Sequence, residues 1–114
     1  MTACIFCDRD AFDILAETSL SFAIRDKFPV RPLHTLILSK RHVESAFDLT
    51  EEEFHDIFRL SNQMQRRLRS EDATVAGFNF GSNVGAVAGQ KIMHVHFHLI
   101  PRREGDTPPP PAKG

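Results

Sequence analysis

The segment His94-Val95-His96-Phe97-His98-Leu99-Ile100 alternates imidazole and apolar side chains. In an extended strand successive side chains point to opposite faces, so His94, His96 and His98 share one face while Val95, Phe97 and Leu99 share the other. The apolar face needs a core. The histidine face carries three imidazoles that packing does not explain. Two chemistries fit such a row: a metal site with two or three histidine ligands and an open position, or nucleophilic catalysis by one neutral imidazole whose neighbours orient it. The strand alone does not separate them.

The loop before this strand adds to the picture. Asn83, Gly85, Gly89 and Gln90 supply amide donors and unhindered backbone N–H groups next to the histidines. Such donors suit phosphate oxygens and form a preorganised anion site. Bulk charge speaks on partners: 14 Lys+Arg against 15 Asp+Glu give a net charge of −1. That excludes a broad nucleic-acid surface. No apolar run approaches the roughly 18–20 residues of a membrane span, and no basic start followed by an apolar core marks a signal peptide. Cys4 and Cys7 are too few to staple a secreted domain and suit a metal or redox role. The expectation is a cytoplasmic protein.

A single domain is expected over 1–106, followed by a Pro-rich tail at 107–114 whose four consecutive prolines cannot enter a sheet interior. Alternation from Phe12 to Asp26 predicts a hairpin, and Pro29 and Pro32 bracket a loop. His34–Ser39 reads as a central strand closed by Lys40-Arg41-His42. Thr50 followed by Glu53 is a capping box, with Leu49 and Phe54 placed as a hydrophobic staple. Phe54, Ile57, Phe58, Leu60, Met64 and Leu68 continue it as one apolar stripe, predicting a helix over 50–69. Glu51–Glu53 and Arg66, Arg67 and Arg69 complement the helix dipole, so the arginines read as a solvated helix end. Strands are predicted at Ala76–Ser82 and Met93–Ile100, the second stopped by Pro101. The fold class is α+β.

Taken together, Asn83-x-Gly85-x-x-x-Gly89-Gln90-x-x-x-His94-x-His96-x-His98-Leu99-Ile100-Pro101-Arg102 closely resembles the signature of the histidine triad (HIT) family of nucleotide hydrolases and transferases. Cys4-Ile5-Phe6-Cys7 resembles the N-terminal element of many bacterial members. Pro29-Val30-x-Pro32-x-His34-x-Leu36-Ile37-Leu38 with Lys40-Arg41-His42 resembles the family's second block. A Gln replaces the third histidine in the related uridylyltransferase branch, so His98 points to the hydrolases.

The resemblance implies an antiparallel five-stranded sheet with one long and one short helix, joined sheet to sheet in a homodimer. It implies attack on the α-phosphate of dinucleoside polyphosphates or nucleoside phosphoramidates through a nucleotidyl-histidine intermediate. His96 would be the nucleophile and His98 would assist the leaving group, with His94 and His34 orienting the cluster. Asn83, Gly89 and Gln90 would hold phosphate, Asp26 the ribose hydroxyls, and Ile5, Phe6, Ile24 and Leu36 the base, an adenine. Cys4, Cys7, His42 and His94 would bind a structural zinc, with no metal in the chemical step. Lys91 stands where many members carry Ser or Thr. A cation there favours longer polyphosphates if it faces the ligand. The tail lacks the Trp-Pro-Pro-Gly ending of the phosphoramidase branch. Two readings compete: a zinc metallohydrolase on His94, His96 and His98, and a module that binds nucleotide without turnover.

Overall fold

A computed structural model describes residues 4–106; the Pro-rich stretch expected at 107–114 lies outside them. Five strands form one antiparallel sheet: β1 Ala16–Glu17, β2 Ser21–Arg25, β3 Thr35–Ser39, β4 Val75–Gly81 and β5 His96–Arg103, in the spatial order β1-β2-β3-β5-β4. The long helix α1, Glu51–Glu71, packs across β2, β3 and β5. This is the expected α+β architecture. The expected short helix is absent among the described residues. Single 3-10 turns stand at Ile5–Cys7, Arg9–Ala11, Ala46–Asp48 and Ala86–Ala88 instead.

The alternation of the sheet divides the core in two. On the helix side Ala23, Ile37, Val95, Phe97 and Leu99 bury against Ile57, Leu60, Met64 and Leu68. On the opposite side Phe6 covers Phe22, Ile24, Leu36 and Leu38. Helix α1 starts at the capping box: Thr50 Oγ1 accepts from Glu53 N at 3.1 Å, and Glu53 Oε1 accepts from Thr50 N at 2.8 Å. Two thirds of its predicted stripe is buried. Phe54 and Phe58 are half exposed, although the Phe54 ring meets Phe97 of β5 edge-on.

The larger departures from the expected boundaries lie in the hairpin and in the last strand. The hairpin is shorter than Phe12–Asp26, since Arg9–Ala11 turns and only Ala16–Glu17 pairs with Ala23 and Phe22. Phe12 and Ile14 instead pack on the Phe6 side of the sheet. Strand β5 begins at His96, so His94 precedes it, and it runs through Pro101 to Arg103. Past Leu99 it pairs with β4 alone. A proline is tolerated in such a one-sided segment, where a missing N–H costs no ladder bond on the open side.

Candidate active site

The register of the sheet sets two rows of side chains on the face away from α1. His98 stands between Leu36 of β3 and Gly81 of β4. The next row holds Asp26 and His34, whose backbones are bonded at 2.9 Å, then Ile100 and Asn79. These rows floor a cleft of about 700 Å³. Phe6, Phe28, Val30 and Leu36 form an apolar wall, and Asn83, Gly89 and Lys91 line it from the loop before β5.

Backbone groups decide which ring nitrogens carry protons. His96 Nδ1 lies 2.7 Å from the His94 carbonyl and must donate to it, so Nε2 keeps its lone pair. His34 Nδ1 accepts from Val30 N at 3.1 Å, which puts the His34 proton on Nε2. That Nε2 is 3.0 Å from His98 Nδ1 and 3.4 Å from Asp26 Oδ2. His98 Nδ1 therefore accepts, and its proton sits on Nε2. Burial holds both His34 and His98 below the ordinary imidazole value of 6.5. For His34 the Asp26 carboxylate opposes this in part. Desolvation penalises the charged form, so both rings are neutral near pH 7.

The loop that sets His34 is over-determined. Asp26 Oδ1 accepts from Phe28 N, and His34 N donates to Arg31 O. Leu33 is held at a left-handed φ of 70°. For a non-glycine residue this costs about 1 kcal/mol, and it persists because the neighbouring bonds fix it. The loop before β5 is tied as tightly. Gln90 is buried, accepts from Gly85 N at 2.8 Å, and donates to Glu44 O and Ile92 O. Gly89 has a φ of 98°, and a Cβ there would come 3.2 Å from Asn83 Nδ2. Only glycine fits both demands.

A second cluster lies on the other side of His94. The ligand atoms of Cys4, Cys7, His42 and His94 all fall within 4.8 Å of one another. Cys4 Sγ and Cys7 Sγ are 3.4 and 3.6 Å from His94 Nδ1, and Cys7 Sγ is 3.4 Å from His42 Nδ1. Zinc–sulfur and zinc–nitrogen bonds at tetrahedral angles place S and N about 3.6 Å apart. His94 Nε2 donates to Ser39 O at 2.7 Å, which leaves Nδ1 as the lone-pair donor toward the thiols. Donor types, spacing and tautomer all suit a closed zinc site. His94, His96 and His98 form no such group: among the described residues the other cluster of potential ligands is Asp26, His34 and His98.

Not every residue expected at the cleft lines it. Phe6, Asp26, His34, Leu36, Asn83, Gly89, Lys91, His96 and His98 do. Gln90 is committed to the protein and acts on the loop's shape. Ile24 is buried in the layer beneath the cleft, and Ile5 is half exposed outside it. His94 is fully buried between the two clusters. Sequence reading passed over Phe28, Val30, Asn79 and Ile100. Ile100 continues the period of two from His98, and Phe28 and Val30 flank Pro29 in a loop already marked by its prolines. Asn79 arrives only through strand pairing.

A family model described as the HIT domain matches residues 10–105. The bis(5'-adenosyl)-triphosphatase of Dictyostelium discoideum is 42% identical over 94 residues, which cover 82% of this chain and 62% of that enzyme, so the chain spans less than two thirds of it. The adenosine 5'-monophosphoramidase of Schizosaccharomyces pombe is 36% identical over 104 residues, covering 88% of this chain and 74% of that one. A zinc-bound histidine triad family protein from Mycobacterium smegmatis superposes with a TM-score of 0.83 at 28% identity, over 91% of this chain and 78% of that one. With the family model spanning most of its length and His94, His96 and His98 in place at and just before the start of β5, the chain belongs to the histidine triad family.

Proposed function

We propose that this protein is a nucleotide hydrolase that attacks the α-phosphate of adenine dinucleoside polyphosphates or phosphoramidates through a nucleotidyl-histidine intermediate. The observation that carries the reading is the orientation of the imidazoles: His96 presents a lone pair on Nε2, and His98 presents an N–H on Nε2, from neighbouring positions with ring centroids 5.2 Å apart. In the first step His96 Nε2 forms a bond to phosphorus while the bond to the leaving oxygen or nitrogen breaks. His98 Nε2–H donates a hydrogen bond to the leaving atom as negative charge develops on it; a polyphosphate departs as its anion, and an amine departs with a proton taken from solvent. In the second step water attacks phosphorus, the P–N bond breaks and returns its electron pair to His96 Nε2, and the water proton passes to solvent. Splitting one displacement into two lowers each barrier.

Asp26 would accept from the ribose diol, Asn83 and the backbone around Gly89 would hold phosphate oxygens, and Phe6, Leu36, Phe28 and Val30 would enclose the base. Relatives named for adenosine substrates support the choice of base. Cys4, Cys7, His42 and His94 would hold zinc, which when bound pins the N-terminal segment to the start of β5. His94 is buried in that cluster, which leaves it no ring nitrogen for the phosphate.

The domain would span 1–106 and pair through its β4 edge. Half-exposed Phe80 on β4 and Phe54, which both meet the Phe97 ring, leave apolar surface beside that edge and support a homodimer. Among the described residues no helix is long and apolar enough to cross a membrane. We place the protein in the cytoplasm on the free thiols of Cys4 and Cys7.

The test is AMP release from diadenosine triphosphate and from adenosine phosphoramidate, with rapid-quench mass spectrometry for an adenylylated peptide containing His96. Turnover and adduct in the wild type, both lost in His96→Ala, are expected. Turnover by His96→Ala at the wild-type rate would overturn the nucleophile assignment. Binding of AMP without turnover of either substrate would overturn the enzyme reading.

A further inference from the structure

The charge inside the cleft is unevenly supplied. Among the described residues that line it, the ionisable side chains are Asp26, Lys91 and the three histidines His34, His96 and His98. His34 and His98 are held in their neutral forms by burial. Asp26 is a carboxylate whose Oδ1 accepts from the Phe28 N–H. Lys91 is thus the one side chain of the lining that carries a permanent positive charge. It is exposed and belongs to none of the ion pairs formed among the described residues. Its backbone is placed by the tied loop: Gln90, its neighbour in sequence, is anchored to Gly85, Glu44 and Ile92. Lys91 lines the same cleft as His96 and His98, so the cation and the reactive imidazoles share one space.

Substrate classes differ in what they ask of that cation. A nucleoside phosphoramidate carries one negative charge at its single phosphoryl group. A dinucleoside polyphosphate adds one negative charge with every further phosphoryl group. Without Lys91 the cleft would present the Asp26 carboxylate with no permanent positive charge beside it, a field that repels a charged chain. With Lys91 a cation balances that carboxylate within the cleft. An ammonium is a flexible point charge with three donors, suited to a phosphate chain of variable length.

Building on the hydrolase reading above, we infer that Lys91 is the residue that selects dinucleoside polyphosphates over phosphoramidates, its ammonium engaging a phosphoryl group past the one that His96 attacks. The lysine acts on recognition of the leaving half and takes no part in proton transfer.

The test compares Lys91→Gln and Lys91→Arg with the wild type. One measurement is the ratio of kcat/KM on diadenosine triphosphate to kcat/KM on adenosine phosphoramidate. Lys91→Gln is expected to lower this ratio by about tenfold, the range for one charged hydrogen bond in a partly solvated site. Lys91→Arg is expected to restore most of it. In the wild type the ratio should fall as salt rises, and this dependence should flatten in Lys91→Gln. An equal fall on both substrates, or an unchanged ratio, would overturn the selective role. A second measurement stands apart from catalysis: calorimetric binding of inorganic tripolyphosphate and of AMP. Lys91→Gln should weaken tripolyphosphate more than AMP, and equal weakening of both would overturn the proposal. If the wild type turned over neither nucleotide while this binding difference held, the hydrolase reading would fail and the assignment of Lys91 to polyphosphate would stand.

Discussion

Two clusters built from the same kind of residue stand on either side of His94–His98, and they differ in what is left over. Around His94 both ring nitrogens are spoken for: Nε2 by the Ser39 carbonyl, Nδ1 by the thiols of Cys4 and Cys7. Around His98 one nitrogen is fixed by His34 and the other faces the cleft. Four positions of chain and one difference in partners separate a histidine fit for a closed metal site from one fit for chemistry. An imidazole's role here follows from its second hydrogen bond, since that bond sets which lone pair or proton remains.

The sharpest way to break this contrast is to remove each cluster in turn. His96→Ala should cut turnover by at least about a thousandfold, the scale on which loss of a nucleophile is felt, with unfolding temperature little changed. The double change Cys4→Ser with Cys7→Ser should do the reverse. Zinc measured by elemental analysis should be lost, and the unfolding temperature should fall by roughly 10 °C or more as metal binding energy leaves the folded state. The fall in kcat should be far smaller than for His96→Ala. If the cysteine variant lost activity as fully as His96→Ala while its zinc remained, the two clusters would not be separate in function.

A smaller effect tests the open cluster from within. His98→Ala should lower kcat about a hundredfold on a poor leaving group, whose developing charge the His98 N–H stabilises, and much less on a good leaving group such as p-nitrophenolate. Equal losses on both would remove His98 from any part in helping the leaving group depart. Titration gives a further reading. His34 and His98 have depressed values when folded, so the native state favours neutral rings and the unfolded chain takes up protons first as pH falls. Their contribution to stability is present above about pH 6.5 and is lost as pH drops through that value. Chemical denaturation from pH 7.5 to 5.5 should show the decline, and His34→Gln should reduce it. The smallest effect belongs to the helix that neither cluster touches: Thr50→Ala removes the capping bond and should cost about 1 kcal/mol with turnover unchanged.

Much of this was legible before any fold was known. The capping box at Thr50 and Glu53 needs only local chain geometry, so its spacing predicts the start of α1 correctly. The alternation at His94–Leu99 assigns faces correctly, because Val95, Phe97 and Leu99 bury against α1 while the histidines face the other way. The errors fall where local pattern meets tertiary limits. Phe54 and Phe58 keep helical spacing yet remain half exposed, since spacing sets which face a side chain shares and not how much of it the sheet covers. Pro101 looks like a stop but is accommodated once β3 has ended. Gln90 has the chemistry of a phosphate donor, yet its amide is consumed by Gly85, Glu44 and Ile92.

By itself the sequence determined the fold class, the family, and the face on which the histidines stand. Those rest on periodicity and on residue types close together in the chain. It did not determine which histidine nitrogens are free, since the Ser39 carbonyl is 55 positions away from His94 and the His34 imidazole 64 from His98. Nor did it fix whether Lys91 faces the cleft or solvent. Those were decided by strand register and loop anchoring, which bring distant groups to within hydrogen-bond reach and so choose among the protonation states that each side chain's chemistry allows.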